Sequence, residues 1–275
     1  MSLKNMKVLT ISQSIHPFMD GLEEMAKVAR QLPQGILECG NEIRVFMPKF
    51  GSINERRHQL HEVIRLSGMN LIINDTDHAL LIKVASVPSA RMQVYFIDNE
   101  EYFKRKAYTH GSDGTFFPDN DERALFFGRG VLETVRKLGW VPDLIHCHGW
   151  MTAFVPLYVR HHFADDPHFE NAKLVFSVYD EKPEPLDKDL AKKLVMEGFD
   201  KDLLKGLNKP TTDDLYKFAI GMSDAVVKAS PKLGKGLDNA VKTADKPVLN
   251  HSGIEGEYVK AHADFYQSVL EEALV

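Results

Sequence analysis

Within its first fifty residues the chain runs strand, helix, strand, and that order leaves few folds open. Lys7-Val-Leu-Thr-Ile11 is a compact apolar run, a helix is expected from about Gly21 to Cys39, and Glu42-Ile-Arg-Val-Phe46 is the next apolar run, stopped at Pro48. Gly40-Asn41 separates the helix from the second strand, since both residues tolerate the left-handed backbone that ends a helix. Strands joined through a helix lie parallel, with a right-handed crossover. A parallel sheet in turn needs helices on both faces.

The same alternation returns further on. Asp121–Leu138 is an amphipathic helix with Leu125, Phe126, Val131, Leu132 and Val135 on its apolar side. Strand Leu144–Cys147, helix Trp150–His162 and strand Leu174–Val178 follow, then helix Thr212–Met222, strand Ala225–Lys228, a helix after Pro231 and strand Pro247–Leu249. A last helix, Gly256–Leu274, sets Tyr258, Phe265, Tyr266, Val269 and Leu270 on one side and needs a surface to pack on. Leu60–Ile73, Leu80–Val87 and Met92–Ile97 alternate apolar and polar residues with no long helix between them, which predicts an antiparallel meander beside the main sheet. Tyr179–Pro210 is charge-dense, carries Pro183, Pro185 and Pro210, and is expected to be irregular with short helices. No repeat or low-complexity linker divides the chain. The expected fold class is α/β: one Rossmann-like, doubly wound, mostly parallel sheet with an antiparallel addition, in a single domain over 1–275. Residues 1–5 are set aside as tag or disordered.

Composition excludes several function classes. With 44% hydrophobic residues, 275 residues bury a real core. A net charge of -5 with both signs interspersed argues against a nucleic-acid surface. No apolar run approaches the roughly 20 residues of a membrane span, and no secretory apolar core opens the chain. Two cysteines, Cys39 and Cys147, suit a reducing compartment. A cytoplasmic protein is expected, with neither nucleic acid nor membrane as partner.

Asp143-Leu-Ile-His-Cys-His-Gly-Trp150 carries the most chemistry, because an apolar strand there runs straight into a helix. Ligands of open α/β sheets bind outside the carboxyl ends of the strands. His148 is therefore expected to face a ligand; the plainer alternative is a strand-end histidine satisfied by backbone groups. His146 is expected to be buried. His146-Cys147-His148 is read as diverging across the two faces of the strand, and zinc needs about four converging ligands, so no metal and no cofactor are expected. Asp20 and Glu23 fit a capping box worth about 1 kcal/mol. Asp98, Asn99 and Tyr102 are read as capping a short helix after Ile97, and Arg56-Arg57-His58 and His161-His162 as solvated surface.

Glu42-Ile-Arg-Val-Phe-Met-Pro-Lys-Phe-Gly51, Val94-Tyr-Phe-Ile-Asp-Asn-Glu-Glu-Tyr-Phe103, Asp119-Asn-Asp-Glu-Arg123 and Asp143–Trp150 occur in an order that resembles bacterial glycogen synthases and plant starch synthases. Ser223–Pro231 and Asn250–Glu255 are fainter echoes. These retaining glucosyltransferases extend α-1,4-glucan from ADP-glucose and have two Rossmann-like domains facing each other across a cleft, the GT-B arrangement. The resemblance here is to the first domain only, so one N-terminal-type domain without the second is expected. In the family the second domain supplies the Arg and Lys for the donor phosphates, an acidic catalytic residue and most nucleotide contacts.

The resemblance implies substrate-binding roles for His148, for Tyr179 and Asp180 in place of a family His-Asn, and for Asp20 and Gly21 in place of a Lys-Thr-Gly-Gly-Leu loop. This chain departs from the pattern there, reading Phe18-Met-Asp-Gly-Leu-Glu-Glu24, and has Gly149 for the Asp of His-Asp-Trp. Phosphate binding at that loop is not expected. The implied function is ADP-glucose-dependent glycogen synthesis, weak or absent without a partner lobe. The alternative is a non-catalytic α-glucan-binding or regulatory protein. Implied partners are α-glucan or malto-oligosaccharide, ADP-glucose, and a protein partner or second copy covering the open cleft face.

Overall fold

Strand β1 (Lys7–Ser12) lies between β2 (Glu42–Pro48) and β7 (Leu144–His148), parallel to both, and the rest of the sheet grows outward from that centre. The computed structural model describes residues 5–19, 23–87, 90–251, 253–254 and 256–271. On one side β7 continues through β8 (Lys173–Val178), β9 (Ala225–Lys228) and β10 (Val248–Asn250), all parallel. On the other, β2 pairs in parallel with β6 (Met92–Asp98), and β5 (Thr76–Val87) then runs antiparallel to β6. Strands β3 (His61–Glu62) and β4 (Met69–Ile73) pair antiparallel with β5. The resulting order is β10-β9-β8-β7-β1-β2-β6-β5-β3, with β4 off that path. The α/β class, the parallel centre and the added meander agree with the sequence pattern.

Two expectations are corrected. The single strand over Leu60–Ile73 is split, because a turn at Val63–Ser67 and Gly68, at φ 86°, interrupt it before β4 begins. The single helix over Trp150–His162 is a 3-10 turn (Trp150–Thr152), a short α4 (Phe154–Leu157) and a wide π turn (Tyr158–His162). Pro156 has no N–H to give to the carbonyl four residues back, and its ring crowds that carbonyl, which interrupts the regular hydrogen-bond ladder there.

Around the sheet, α1 (Glu23–Glu38) packs against α8 (Tyr258–Glu271), while α3 (Asn120–Leu138), α4 and α6 (Thr212–Met222) pack in series and α6 meets α7 (Lys235–Lys242). The short α2 (Glu100–Phe103) is capped by Asn99, whose Oδ1 accepts from the N–H of Glu101 at 2.9 Å and of Tyr102 at 3.1 Å. Asp98 pairs with Lys83 at 3.0 Å, and Tyr102 is buried. Arg123, at the end of the Asp119–Arg123 segment, is wholly buried and donates to the carbonyls of Tyr102 and Tyr108 at 2.9 and 2.8 Å. That segment thus pins the loop ahead of α3. The charge-dense stretch after β8 is irregular apart from α5 (Leu190–Met196), and buried Lys193 ties it to α3 by ion pairs of 2.8 Å to Asp121 and Glu122. Among the described residues, no helix is long and apolar enough to cross a membrane.

Helix α8 reaches α1 through a missing side chain. A Cβ on Gly35 would sit 2.5 Å from both γ-carbons of Val259. Replacing Gly35 by Ala adds about 1 kcal/mol of helix propensity, but overpacking costs about 1–3 kcal/mol, and valine has little rotamer freedom with which to yield. Chemical denaturation should therefore show Gly35→Ala to be destabilising, and Gly35→Ala in a Val259→Ala background to be stabilising relative to Val259→Ala alone.

Candidate functional site

The strand order reverses at β1: the chain moves outward through β2 and β6, then returns to the other side of β1 as β7. Helical crossovers leave in opposite directions at such a point and open a crevice at the carboxyl ends of the two strands. Ser12 pairs in register with His148 there, and Ser177 of β8 lies next across. The candidate site is thus the set of residues just beyond β1, β7 and β8: Gln13, Gly149, Tyr179, Asp180 and Glu181.

His148 is placed at this edge, yet it is wholly buried. The expectation that its ring faces a ligand directly is corrected: Tyr179, itself 3% exposed, covers it, with its hydroxyl 2.9 Å from His148 Nδ1. His148 Nε2 is buried with no hydrogen-bond partner among the described residues. His146 is buried as expected, but the two rings do not diverge. Residues two apart on a strand share a face, and the ring centroids are 3.9 Å apart. His146 is held by the hydroxyls of Tyr266 at 2.6 Å and Ser177 at 2.7 Å. Tyr266 lies on α8, and His262, one turn earlier, faces the His146 ring with centroids 6.3 Å apart. Among the described residues, no group of three or more ligand-type side chains suited to a metal occurs.

Burial keeps these imidazoles neutral. Desolvation, followed by the neighbouring histidines, holds His146 well below its usual value. His148 is depressed to about 3 by burial and then by His262, and His262 to about 4 by burial.

Asp180 is the outward-facing member of the set: it is exposed, and its N–H donates to Ser230 Oγ at 3.1 Å. Asp20 and Gly21, with the Asp20–Glu23 capping box, fall outside the described residues or side chains. Glu24 just beyond pairs with His251 at 2.6 Å, after β10. Of the strand-end lysines, Lys49 meets Glu55 at 2.5 Å, Lys182 meets Glu184 at 3.0 Å and Lys228 meets Asp238 at 2.7 Å. Each is matched by a carboxylate.

Sequence patterns alone did not single out Gln13 and Glu181. Gln13 Oε1 accepts from the Met151 N–H at 3.0 Å, and its Nε2 donates to Glu181 at 2.9 Å. Glu181 also accepts from the Tyr216 hydroxyl. Glu181 is partly exposed, and its carboxyl is pushed up to about 7 by desolvation, against the hydrogen bonds from Tyr216 and Gln13. Gly149, at φ 86° and ψ 161°, has no room for a side chain: a Cβ would lie 2.4 Å from Gln13 Cδ. The one available signal for Gln13 was its position directly after β1, beside the reversal.

Comparison with known proteins adds a family context. Residues 7–240 match the family described as the starch synthase catalytic domain. A curated glycogen synthase of Chlorobium limicola is 39% identical over 180 residues, covering 65% of this chain and 37% of that protein. The glycogen synthase of Chlorobaculum tepidum is 36% identical over 258 residues, 88% of this chain and 51% of that protein. The chain therefore spans about half, or less, of the length of these relatives. Among solved structures, the catalytic domain of starch synthase IV from Arabidopsis thaliana, bound to ADP and acarbose, superposes with a TM-score of 0.72 at 19% identity. The superposition covers 90% of this chain and 52% of that one, and shows a common fold.

Two outcomes are expected from the packing. Gly149→Asp places a side chain in a backbone region open almost only to glycine and drives it into Gln13, so unfolding should be easier by about 3 kcal/mol or more. Adding Gln13→Ala should return only part of that loss, because the backbone strain remains. The second outcome concerns acid. A histidine depressed in the fold binds fewer protons than in the unfolded chain, so its stability contribution is lost as pH falls through about 6.5. From pH 7.5 to 5 the His148 contribution should amount to about 2 kcal/mol, and urea unfolding of His148→Gln should show an acid limb shallower by that amount.

Proposed function

The chain belongs to the starch synthase catalytic-domain family, and from that premise we propose that it handles α-1,4-glucan in glucosyl transfer of the glycogen-synthase type. The carboxyl ends of β1, β7 and β8 form the glucan-side wall of the site. Asp180 makes the first contact with sugar hydroxyls, Tyr179 stands behind it as a platform, and His148 supports Tyr179 from below. What supports this reading is that His148 ends β7 and Tyr179 and Asp180 follow β8, beside the point where strand order reverses, with Tyr179 bonded to His148. Identity of 36–39% to curated glycogen synthases supports the same reaction class. The free thiol of exposed Cys39 suits a reducing cytoplasm as the setting.

Turnover of ADP-glucose depends on a second lobe opposite these strand ends, whichever polypeptide carries it. Retaining transfer requires cationic or dipolar stabilisation of the departing diphosphate, and Lys49, Lys182 and Lys228 are each engaged by a carboxylate. This lobe thus binds the acceptor and leaves the donor phosphates to another surface.

Titrating the isotope-labelled chain separately with maltoheptaose and ADP-glucose tests this division. Maltoheptaose should shift the amide resonances of Asp180 and its neighbours, and Asp180→Ala should weaken its binding about tenfold, the worth of one charged hydrogen bond. ADP-glucose should leave those resonances unmoved. A response to ADP-glucose alone, or robust incorporation of labelled glucose into glycogen by these 275 residues unaided, would contradict the assignment.

A further inference from the structure

The strand ends of β1, β7 and β8 are joined by a relay of side chains that the sheet does not supply. Gln13 gives its main-chain N–H to the His148 carbonyl at 3.3 Å. Its side-chain oxygen accepts from Met151 at 3.0 Å and its side-chain nitrogen donates to Glu181 at 2.9 Å. Only one orientation of the amide meets both neighbours, since Met151 offers a donor and the carboxylate an acceptor. Gln13 also fills the place that a side chain on residue 149 would take, Cδ lying 2.4 Å from the Cβ position of Gly149. Glu181 holds Gln13 there, and is itself held by Tyr216 of α6.

We propose that Glu181 is a positioning residue for the strand-end site: through Gln13 it fixes the turn from Gly149 to Met151, and with it the seating of Tyr179 on buried His148 and the placement of Asp180 toward a bound sugar. The last step rests on the reading of these strand ends as a glucan site. Glu181 faces Tyr216 and Asp213 of α6, Tyr108 of the loop ahead of α3, and Tyr179 at the end of its own strand. None of these groups is cationic. The carboxyl therefore changes state at about pH 7. Ionised, it accepts a charge-assisted bond from Gln13, about twice as strong as the neutral one left after protonation.

The test uses NMR of the whole chain without ligand, then with maltoheptaose. The Met151 amide should show a single transition centred near pH 7 in the native chain and none in Glu181→Gln. Gln13→Glu sets two carboxylates face to face and should weaken maltoheptaose binding about tenfold at pH 8. Combining Gln13→Glu with Glu181→Gln restores an amide–carboxylate pair with the partners exchanged, and affinity should return to within about twofold. A flat Met151 titration in the native chain, or, where maltoheptaose binds the native chain, a double variant no better than Gln13→Glu, overturns the proposal. If the Met151 transition is seen in the native chain and lost in Glu181→Gln while maltoheptaose binds no form of the chain, positioning of the turn by Glu181 stands and the glucan reading falls.

Discussion

The parallel pairing of β1 with β7 is the constraint on which the rest of this molecule depends. It sets Ser12 beside His148 in register and puts the reversal of strand order at the centre of the sheet. Crossovers diverge at that point, while Ser12, His148 and Ser177 at the strand ends are buried and α8 reaches their layer through Tyr266 on His146. The groups able to do chemistry sit directly beyond those strands: a glutamine after one, a glycine turn after the next, and Tyr179-Asp180-Glu181 after the third.

Burial then sorts these groups into two layers. The inner layer is a cluster of neutral imidazoles, His146, His148 and His262, tied by Tyr179, Tyr266 and Ser177. The hydroxyl of Tyr266 on His146 joins this cluster to α8. Neutral rings bonded to hydroxyls avoid the heavy cost of a buried unpaired charge. The outer layer is acidic and partly exposed, with Asp180 outermost and Glu181 beneath it. Lys49, Lys182 and Lys228, at or just past strand ends, are each paired with a carboxylate.

Much of the fold was legible because its signals are local. Lys7–Ile11, the α1 region and Glu42–Phe46 announce a parallel unit by order alone, and the alternation through Leu80–Ile97 announces the meander. Helix Thr212–Met222 was readable to the residue, and in the structure a Thr211–Asp214 capping box marks its start. The site was less legible because its contacts are distant. Tyr179 meets His148 across 31 residues, Tyr266 meets His146 across 120, and Gln13 meets Glu181 across 168. Periodicity cannot show that a tyrosine covers a histidine or that a glutamine fills a glycine's space. The pairing of the His146 and His148 rings was within reach, since residues two apart on a strand lie on one face.

The most direct test of a glucan-facing strand edge is a crystal structure of the chain with bound maltohexaose. Glucosyl units should lie across the ends of β1, β7 and β8, with Asp180 in hydrogen-bonding contact and His148 still beneath Tyr179. Oligosaccharide seated elsewhere on the surface, with those strand ends empty, would contradict it.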